Sequence, residues 1–513
     1  LYSSAASDVY KRQEIHWYYK FMQTSNNAII IGSGVAGLAT AIRLQLKGYN
    51  VTVYEKNDYA GGKLAAFKIQ GYHFDAGPSL FTQPQNIIEL FELANEPVEN
   101  YFNYTSVDVA CKYFYANGKI VVGYANMDKF ANELQQQLGE SPKVVKDYLS
   151  SAKKLYTNIA ELFLNNSLHK RKTWFNKNAF IAFKAVKFSH LFKTLHKHNS
   201  SKFKSPEATQ LFNRFATYNG SNPYKVPSML SLIPHLEMNE GVFYPKGGMV
   251  SITDALVKLA KKMGVTFIFN TQVDRIIHSS GLVKGVVVNN QNIYADLIVS
   301  NVDVYFTYKK LLNNTQLANR ILKNERSSSA IVFYWGIKKE FKELQLHNIL
   351  FSNNYKEEFD CLFTKKIVYT DPTIYINITS TIEPAQAPSG KQNWFVMVNA
   401  PANVGQNWEQ IKQEAKANII VKINTLLQTS IEDYIEVEEI LEPITIETKT
   451  NSFMGSLYGT SSNSKFAAFL RHPNFKGNIK QLYFCGGSVH PGGGIPLCLK
   501  SAKIVSELIQ SKN

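Results

Sequence analysis

The chain has 513 residues, more than an average single domain holds, so we expect two domains built from one chain. Its formal net charge of +16 suits an anionic partner, but no nucleic-acid-binding module is visible, which argues against a nucleic-acid partner. The sequence contains no uninterrupted run of about 20 apolar residues, which argues against a membrane-spanning protein.

The N-terminal segment 1–21 precedes the first methionine, Met22, and has no apolar core of the kind found in signal peptides. Its first part, 1–13, resembles the translated adapter sequence that is sometimes left at the ends of assembled reads. We therefore expect 1–21 to be a non-native or disordered extension. The alternative is a native N-terminal extension.

The first predicted elements are a strand, a helix and a second strand between residues 28 and 54. The apolar run 28–31 predicts a buried parallel strand, and a helix follows to about Lys47 and ends at Gly48. Residues 51–54 predict the second strand, with Glu55 at its end. This order of elements is typical of a dinucleotide-binding βαβ unit.

The turn between the first strand and the helix has the pattern G-x-G-x-x-G. Gly32 permits a tight turn, Gly34 lets the backbone approach a pyrophosphate, and Gly37 lets the helix pack close to the strand. The helix N-terminus offers free N–H groups to the phosphates, and Glu55 can accept hydrogen bonds from a ribose. The alternative is a glycine turn in an ordinary βαβ unit.

Two more glycine-rich segments predict a cofactor longer than a nicotinamide dinucleotide. Gly61 and Gly62 follow the ribose-binding acid, where nicotinamide binding needs no glycine pair. Near the C-terminus a strand at 482–485 leads into Gly486 and Gly487, and a helix begins near Pro496. The positive end of this helix could face a flavin ring and stabilise its reduced, anionic form.

Several segments of the sequence together resemble a known family. The βαβ unit, the segment 74–79 and the ending 490–496 are similar to those of the bacterial-type carotenoid (phytoene) desaturases, within the flavin amine oxidase superfamily. The resemblance extends from about Met22 to the C-terminus. In the middle of the chain, 212–223 looks most like desaturases of hydroxylated acyclic carotenoids.

The resemblance implies FAD, bound without a covalent link. This chain has Lys63 at a position where arginine is commoner in the family. A lysine ammonium is a point charge, whereas an arginine guanidinium is planar and donates several hydrogen bonds, so the contact with the flavin differs. The cofactor-binding residues expected from the motifs and the resemblance are Gly32, Gly34, Gly37, Glu55, Gly61, Gly62, Lys63, Gly77, Pro78, Val273, Gly486, Gly487, Gly493 and Ile495.

The implied fold is α/β, with a discontinuous Rossmann-type FAD-binding domain and an inserted α+β substrate-binding domain. We expect the FAD-binding domain to use 22–95, 240–310 and 450–513, and the substrate- and membrane-associating domain to use 96–239 and 311–449. Within the returning segment we predict a strand at 265–273 and a hairpin formed by 283–288 and 293–299 around Asn289 and Asn290. The backbone at Val273 is expected to hold the adenine.

The cysteines and histidines indicate neither a disulfide framework nor a metal site. Cys111, Cys361, Cys485 and Cys498 are widely spaced and fit a reducing compartment. The histidines of 169–198 lack metal-ligand spacing, and we interpret them as surface residues.

The segment 168–204 combines ten Lys and Arg residues with aromatic and aliphatic residues and contains no acid. The helical spacing of its aromatic, aliphatic and basic residues predicts a basic amphipathic helix suited to an anionic membrane surface. We therefore expect a cytoplasmic protein that is peripheral on the inner membrane. The alternative is a solvated basic face over an ordinary core.

The predicted activity is that of an FAD-dependent desaturase, which introduces C=C bonds into an acyclic carotenoid, phytoene-like or hydroxylated, by hydride transfer to the flavin. The acid/base residue stays open, because Arg214 and His490 lie in motif segments but suit structural roles better. The final electron acceptor, oxygen or a quinone, also stays open. The alternatives are another oxidase of the superfamily, acting on amines or porphyrinogens, and a non-enzymatic binder of prenylated proteins with the same fold.

Overall fold

A computed structural model describes residues 26–464 and 470–512, and the predicted extension 1–21 lies outside the described residues. The strands are β1 Asn27–Ile31, β2 Asn50–Tyr54, β3 Ala66–Ile69, β4 Tyr72–Asp75, β5 Tyr104–Val107, β6 Val109–Phe114, β7 Ile120–Tyr124, β8 Val242–Pro245, β9 Thr266–Ile268, β10 Val273–Ser279, β11 Leu282–Val288, β12 Gln291–Tyr294, β13 Leu297–Ser300, β14 Ser329–Ile337, β15 His347–Leu350, β16 Ile374–Asn377, β17 Gln392–Ala400, β18 Ile435–Leu441 and β19 Leu482–Phe484.

Helices lie between these strands along the chain. In chain order they are α1 Val35–Gln45, α2 Gln85–Leu93, α3 Met127–Leu138, α4 Pro142–Asn165, α5 Lys177–Ala185, α6 Phe188–Phe192, α7 Leu195–Ser200, α8 Pro206–Asn213, α9 Pro234–Met238, α10 Val250–Lys262, α11 Val304–Phe306, α12 Thr315–Leu322, α13 Tyr355–Asp360, α14 Trp408–Leu427, α15 Pro443–Thr450 and α16 Ile495–Leu508.

A five-stranded parallel sheet has the order β19-β13-β1-β2-β9. Because its strands come from both ends of the chain and from the middle, the sheet assembles only when distant segments meet. The apolar strand β1 is buried, and α1 packs its apolar side against the sheet together with α16. The sheet and these helices enclose one hydrophobic core, which fixes the direction in which the two helix N-termini point.

The returning segment differs from its prediction at two places. The predicted strand 265–273 is two separate strands, β9 and β10, because Asn270 adopts a left-handed φ of 51° between them. The predicted strand 293–299 is also divided, since β12 stays in a three-stranded sheet while β13 joins β1. Asp296 makes this switch by pairing with both the N–H and the carbonyl of Asn27.

A seven-stranded sheet has the order β18-β14-β17-β16-β15-β6-β7. Side chains alternate between its two faces. One face packs Phe333, Trp335 and Trp394 against α14 in a buried hydrophobic core. The other face presents Val332, Tyr334 and their neighbours toward a cavity. This second face of the sheet therefore forms one wall of the cavity.

The prediction of one amphipathic helix over 168–204 is wrong. The segment contains a short 3-10 turn, Arg171–Trp174, and then α5, α6 and α7. Extended backbone at Val186, Lys187, Lys193 and Thr194 separates these helices, and the Asn176 and Thr194 side chains cap the N-termini of α5 and α7. The histidines of this segment, interpreted from the sequence as surface residues, are partly exposed.

Candidate active site

A cavity of about 990 Å³ extends from the carboxyl ends of β1 and β2 to the open face of the seven-stranded sheet. This volume is at the upper end of the range for small-molecule sites. The structure brings all but one of the predicted cofactor residues to its wall, namely Gly32, Gly34, Glu55, Gly61, Gly62, Lys63, Gly77, Pro78, Val273, Gly486, Gly487, Gly493 and Ile495. The exception, Gly37, lies behind the wall.

The first glycine turn is closely packed. Gly32 has a φ of 95°, which favours glycine, and a Cβ at Gly37 would lie 2.2 Å from the Gly32 carbonyl oxygen. A Cβ at Gly34 would lie 2.6 Å from Nδ2 of Asn301. Gly34 caps α1 without any side-chain hydrogen bond, so the first N–H groups of the helix remain available to an anion.

Glu55 is fixed at the end of β2. One carboxylate oxygen accepts hydrogen bonds from the N–H and Oγ of Ser33, both at 2.8 Å, and the other accepts from the N–H and Nδ2 of Asn57, both at 3.0 Å. The side chain is 5% exposed and lines the cavity. These bonds hold the carboxylate on the cavity wall beside the glycine turn.

The C-terminal turn approaches the same cavity from the opposite side. Gly486 has a φ of 106°, and a Cβ at Gly493 would lie 2.8 Å from Cα of Tyr458. Gly494 caps α16 with no side-chain hydrogen bond. Two uncapped helix N-termini, those of α1 and α16, therefore border one cavity and favour a ligand with negative charge.

Lys63 is a buried cation on the cavity wall. Its Nζ donates to the carbonyls of Leu457 at 2.9 Å and Ser456 at 3.3 Å. Burial lowers the pKa of Lys63 to about 8, although the Asp303 carboxylate acts in the opposite direction. The two bonds use two of the three ammonium hydrogens, so the third is available to a ligand.

Two residues that the sequence did not single out complete this half of the site. Asn301 lies between the two glycine turns, and its Oδ1 accepts from Sγ of Cys485 at 3.6 Å. Tyr458 packs against Gly493. Asn301 could have been found from its place directly after the buried strand β13, because ligands bind at the carboxyl ends of parallel strands. Tyr458 gives no such signal in the sequence.

The other half of the cavity is mostly apolar. It is walled by alternate residues of β14 and β17, among them Val332, Tyr334, Phe395 and Met397. A buried polar group interrupts this wall. Nη2 of Arg214 donates to both carboxylate oxygens of Glu237, at 2.8 and 2.9 Å, and to the hydroxyl of Tyr113 at 2.8 Å.

The two motif residues considered for acid/base roles are in different places. Arg214 lines the cavity and His490 does not. Nε2 of His490 pairs with the carbonyl of Asn166 at 3.0 Å, and burial lowers the pKa of this imidazole to about 4. His490 is therefore a neutral, buried residue with a structural contact. Within the described residues no group of three or more His, Cys, Asp or Glu could hold a metal ion.

Comparison with known proteins relates this site to flavoenzymes. A family model described as flavin containing amine oxidoreductase matches residues 35–510. The chain is 51% identical over 486 residues to a 1-hydroxycarotenoid 3,4-desaturase of Flavobacterium sp. (strain P99-3), covering 95% of this chain and 99% of that protein. It is 29% identical over 528 residues to a phytoene desaturase of Fusarium fujikuroi, covering 94% and 89%.

The fold is similar to that of solved oxidoreductases. A triple mutant of putrescine oxidase, redesigned in its cofactor binding, superimposes with a TM-score of 0.62 at 13% identity, covering 95% of this chain and 99% of that one. At this identity the likeness concerns the fold alone. It agrees with the α/β flavin-binding architecture expected from the sequence.

Proposed function

The chain belongs to the flavin-containing amine oxidoreductases, and from this we propose that it is an FAD-dependent desaturase that forms the 3,4 double bond of a 1-hydroxylated acyclic carotenoid. The observation that carries the proposal is the 51% identity to a 1-hydroxycarotenoid 3,4-desaturase along nearly the whole of both chains. The enzyme class, an FAD-dependent oxidoreductase, follows from the family itself.

The residues of the cavity fit FAD. Two uncapped helix N-termini flank the space for a pyrophosphate. At Gly34, Gly61, Gly486 and Gly493 a Cβ would come within 3 Å of neighbouring atoms, so these positions need glycine. We assign Glu55 to the ribose and the backbone of Val273 to the adenine side. Lys63, with its third hydrogen, is assigned to the flavin side. The intact set of contacts favours an enzyme over a binder of prenylated proteins, which would not need them.

When bound, FAD supplies a two-electron acceptor that takes a hydride from a substrate carbon. The neighbouring carbon releases a proton, and the electron pair of that C–H bond forms the new C=C bond. The chain contributes positioning and exclusion of water. The apolar wall of Val332, Phe395 and Met397 accepts a polyene, whereas a small charged amine would leave this wall unused.

We further propose that 168–204 binds an anionic membrane surface, where the apolar substrate is dissolved. Helix α5 buries Ala179 and Ala182 and exposes Phe180 and Phe183, the reverse of what a water-facing helix requires. The exposed aromatic patch consists of Phe175, Phe180, Phe183, Phe188 and Phe192, each between 52% and 85% exposed. No helix in 26–464 or 470–512 combines the length and the apolarity needed to cross a bilayer.

Charge reversal in this segment is expected to release the protein from membranes. Lys184, Lys187 and Lys193 flank the aromatic patch, and each basic residue near an anionic surface contributes about 1 kcal/mol. Changing all three to Glu should move the protein from vesicles that contain anionic lipid into the soluble fraction of a flotation assay. The control changes three exposed lysines elsewhere, Lys261, Lys284 and Lys323, to Glu. If both triple variants are released to the same extent, net charge rather than this segment governs attachment. If the variant of 168–204 stays bound to the vesicles, the assignment of this segment is wrong.

A further inference from the structure

The imidazole of His347 is a buried polar group on the otherwise apolar side of the cavity. It belongs to β15, is 2% exposed and lines the cavity. Its Nδ1 lies 2.8 Å from the hydroxyl of Tyr375 and 3.1 Å from Nδ2 of Asn377. Nδ2 of Asn377 also donates to the carbonyl of Leu346 at 3.0 Å, which fixes the orientation of the amide.

These contacts determine which nitrogen of His347 carries the proton. Because Nδ2 of Asn377 is an N–H donor, Nδ1 of His347 must accept, and a neutral imidazole then carries its hydrogen on Nε2. The ring is neutral because burial, together with the nearby charge of Arg214, lowers the pKa of His347 to about 3. His347 therefore offers one N–H donor, at Nε2.

The Nε2–H group of His347 is buried and has no hydrogen-bond partner in the described residues. Of the described residues that line the cavity, only one other buries an unpaired side-chain nitrogen, and that is Nε of Arg214. Nη2 of the same guanidinium is already paired with Glu237. Both unpaired groups are donors, and burying a donor without a partner is unfavourable. An oxygen acceptor on a ligand would satisfy both N–H groups. This acceptor should be uncharged, because Glu237 already balances the charge of Arg214.

We propose that Nε2–H of His347 and Nε–H of Arg214 bind the hydroxyl oxygen of the hydroxylated end of the carotenoid and so select it over the hydrocarbon. This assignment rests on the proposed function and adds to it the residues that recognise the hydroxyl group. A site built to pair with a substrate hydroxyl rejects the analogue without it, because its own donors are then left unpaired.

The position of His347 suits desaturation close to the hydroxyl. Carbon 3 of such a substrate is only three bonds of roughly 1.5 Å from the oxygen, so a hydroxyl site must lie near the flavin. Tyr375, which contacts Nδ1 of His347, also accepts a hydrogen bond from Oγ of Ser79 at 2.9 Å. Ser79 directly follows Gly77 and Pro78, which are assigned to the cofactor. Two hydrogen bonds thus connect the imidazole to the cofactor segment.

The test compares two substrates that differ only in the hydroxyl oxygen: an acyclic 1-hydroxycarotene and the matching 1,2-dihydrocarotene. The FAD-loaded wild type should desaturate the first with a kcat/KM roughly 10- to 100-fold above the second. H347F keeps a ring of similar size but has no donor. It should lose most of that preference through a lower kcat/KM on the hydroxycarotene, with the dihydrocarotene unchanged or improved. H278F, an exposed histidine outside the cavity, is the control and should behave as wild type.

A second variant makes the test independent of how H347F folds. R214K keeps a positive charge beside Glu237 but removes Nε–H, so it should reduce the preference in the same direction; FAD content and the melting temperature monitor folding. Equal losses on both substrates in R214K and H347F would mean a structural role and overturn the proposal. Equal activity of the wild type on both substrates would also overturn the proposal. The two N–H groups would then be paired with water rather than with the substrate hydroxyl. Failure of the proposed function is distinct, since the FAD-loaded wild type would then desaturate neither carotene.

Discussion

Replacement of Gly34 by valine is expected to abolish retention of FAD. A Cβ at this position would lie 2.6 Å from Nδ2 of Asn301, and the two methyl groups of valine would extend into the space assigned to the pyrophosphate. The backbone at Gly34, with a φ of −62° and a ψ of 166°, is open to any residue, so the effect should come from lost space rather than from backbone strain. The purified variant should be colourless, whereas the wild type should carry close to one FAD per chain.

The measurement is the FAD released after denaturation and separation from the chain. Gly477→Val is the matched control, because a Cβ at Gly477 meets no atom within 4 Å. It should retain the cofactor and the fold. A yellow G34V protein would contradict the assignment of this turn to the pyrophosphate. Flavin that stays attached to the denatured wild-type chain would contradict the non-covalent binding implied by the family resemblance.

Local sequence patterns indicate the glycine turns that border the cavity, because such turns depend on local backbone needs. The turn at Gly32 requires a positive φ, and the helix after it needs a close approach at Gly37, so the residue types report the structure directly. Asn301 and Tyr458 were missed because they reach the site only through tertiary packing. Asn301 becomes informative once the neighbouring strands β1 and β13 are known to be parallel.

The prediction for 168–204 failed for a different reason. Helical spacing of the aromatic residues continues across Val186 and Lys187, where the backbone is extended. Periodicity alone therefore did not reveal the breaks. It also did not reveal that alanines face the core while Phe180 and Phe183 face outward. The separate short helices present the aromatic patch more fully than a single helix with its apolar side buried would.

The polar groups within the apolar half of the cavity were not predictable from the sequence. His347 begins the short buried strand β15, and a single histidine in a buried strand is usually a satisfied core residue. Its significance depends on two residues of β16, Asn377 and Tyr375, which contact Nδ1, and on the nearby charge of Arg214 from another segment. Arg214 was noticed only because 212–223 resembles the desaturases of hydroxylated carotenoids. The structure pairs it with Glu237, which no spacing rule would have connected to it.

Expression in two carotenoid-producing hosts is expected to separate the substrates. In cells that supply 1-hydroxylated acyclic carotenes, the protein should produce pigment with one additional conjugated double bond per desaturated end and an absorbance shifted to the red. In cells that accumulate phytoene we expect little or no new pigment, because the hydrocarbon leaves the donors of His347 and Arg214 without a partner. The measurement is the absorption spectrum and mass of the extracted carotenoids, two mass units lower for each desaturation.

The result in the phytoene host decides between the two substrate classes named by the relatives. A red shift there, with none in the hydroxycarotene host, would assign the protein to the early desaturations and remove the reason for a hydroxyl site. Expression of G34V in both hosts is the control, since any pigment change that it still causes cannot depend on bound FAD. If wild-type protein that is folded and loaded with FAD changes the pigment in neither host, the desaturase assignment fails. The cavity wall around Val332 and Phe395 would then have to accept a different apolar molecule.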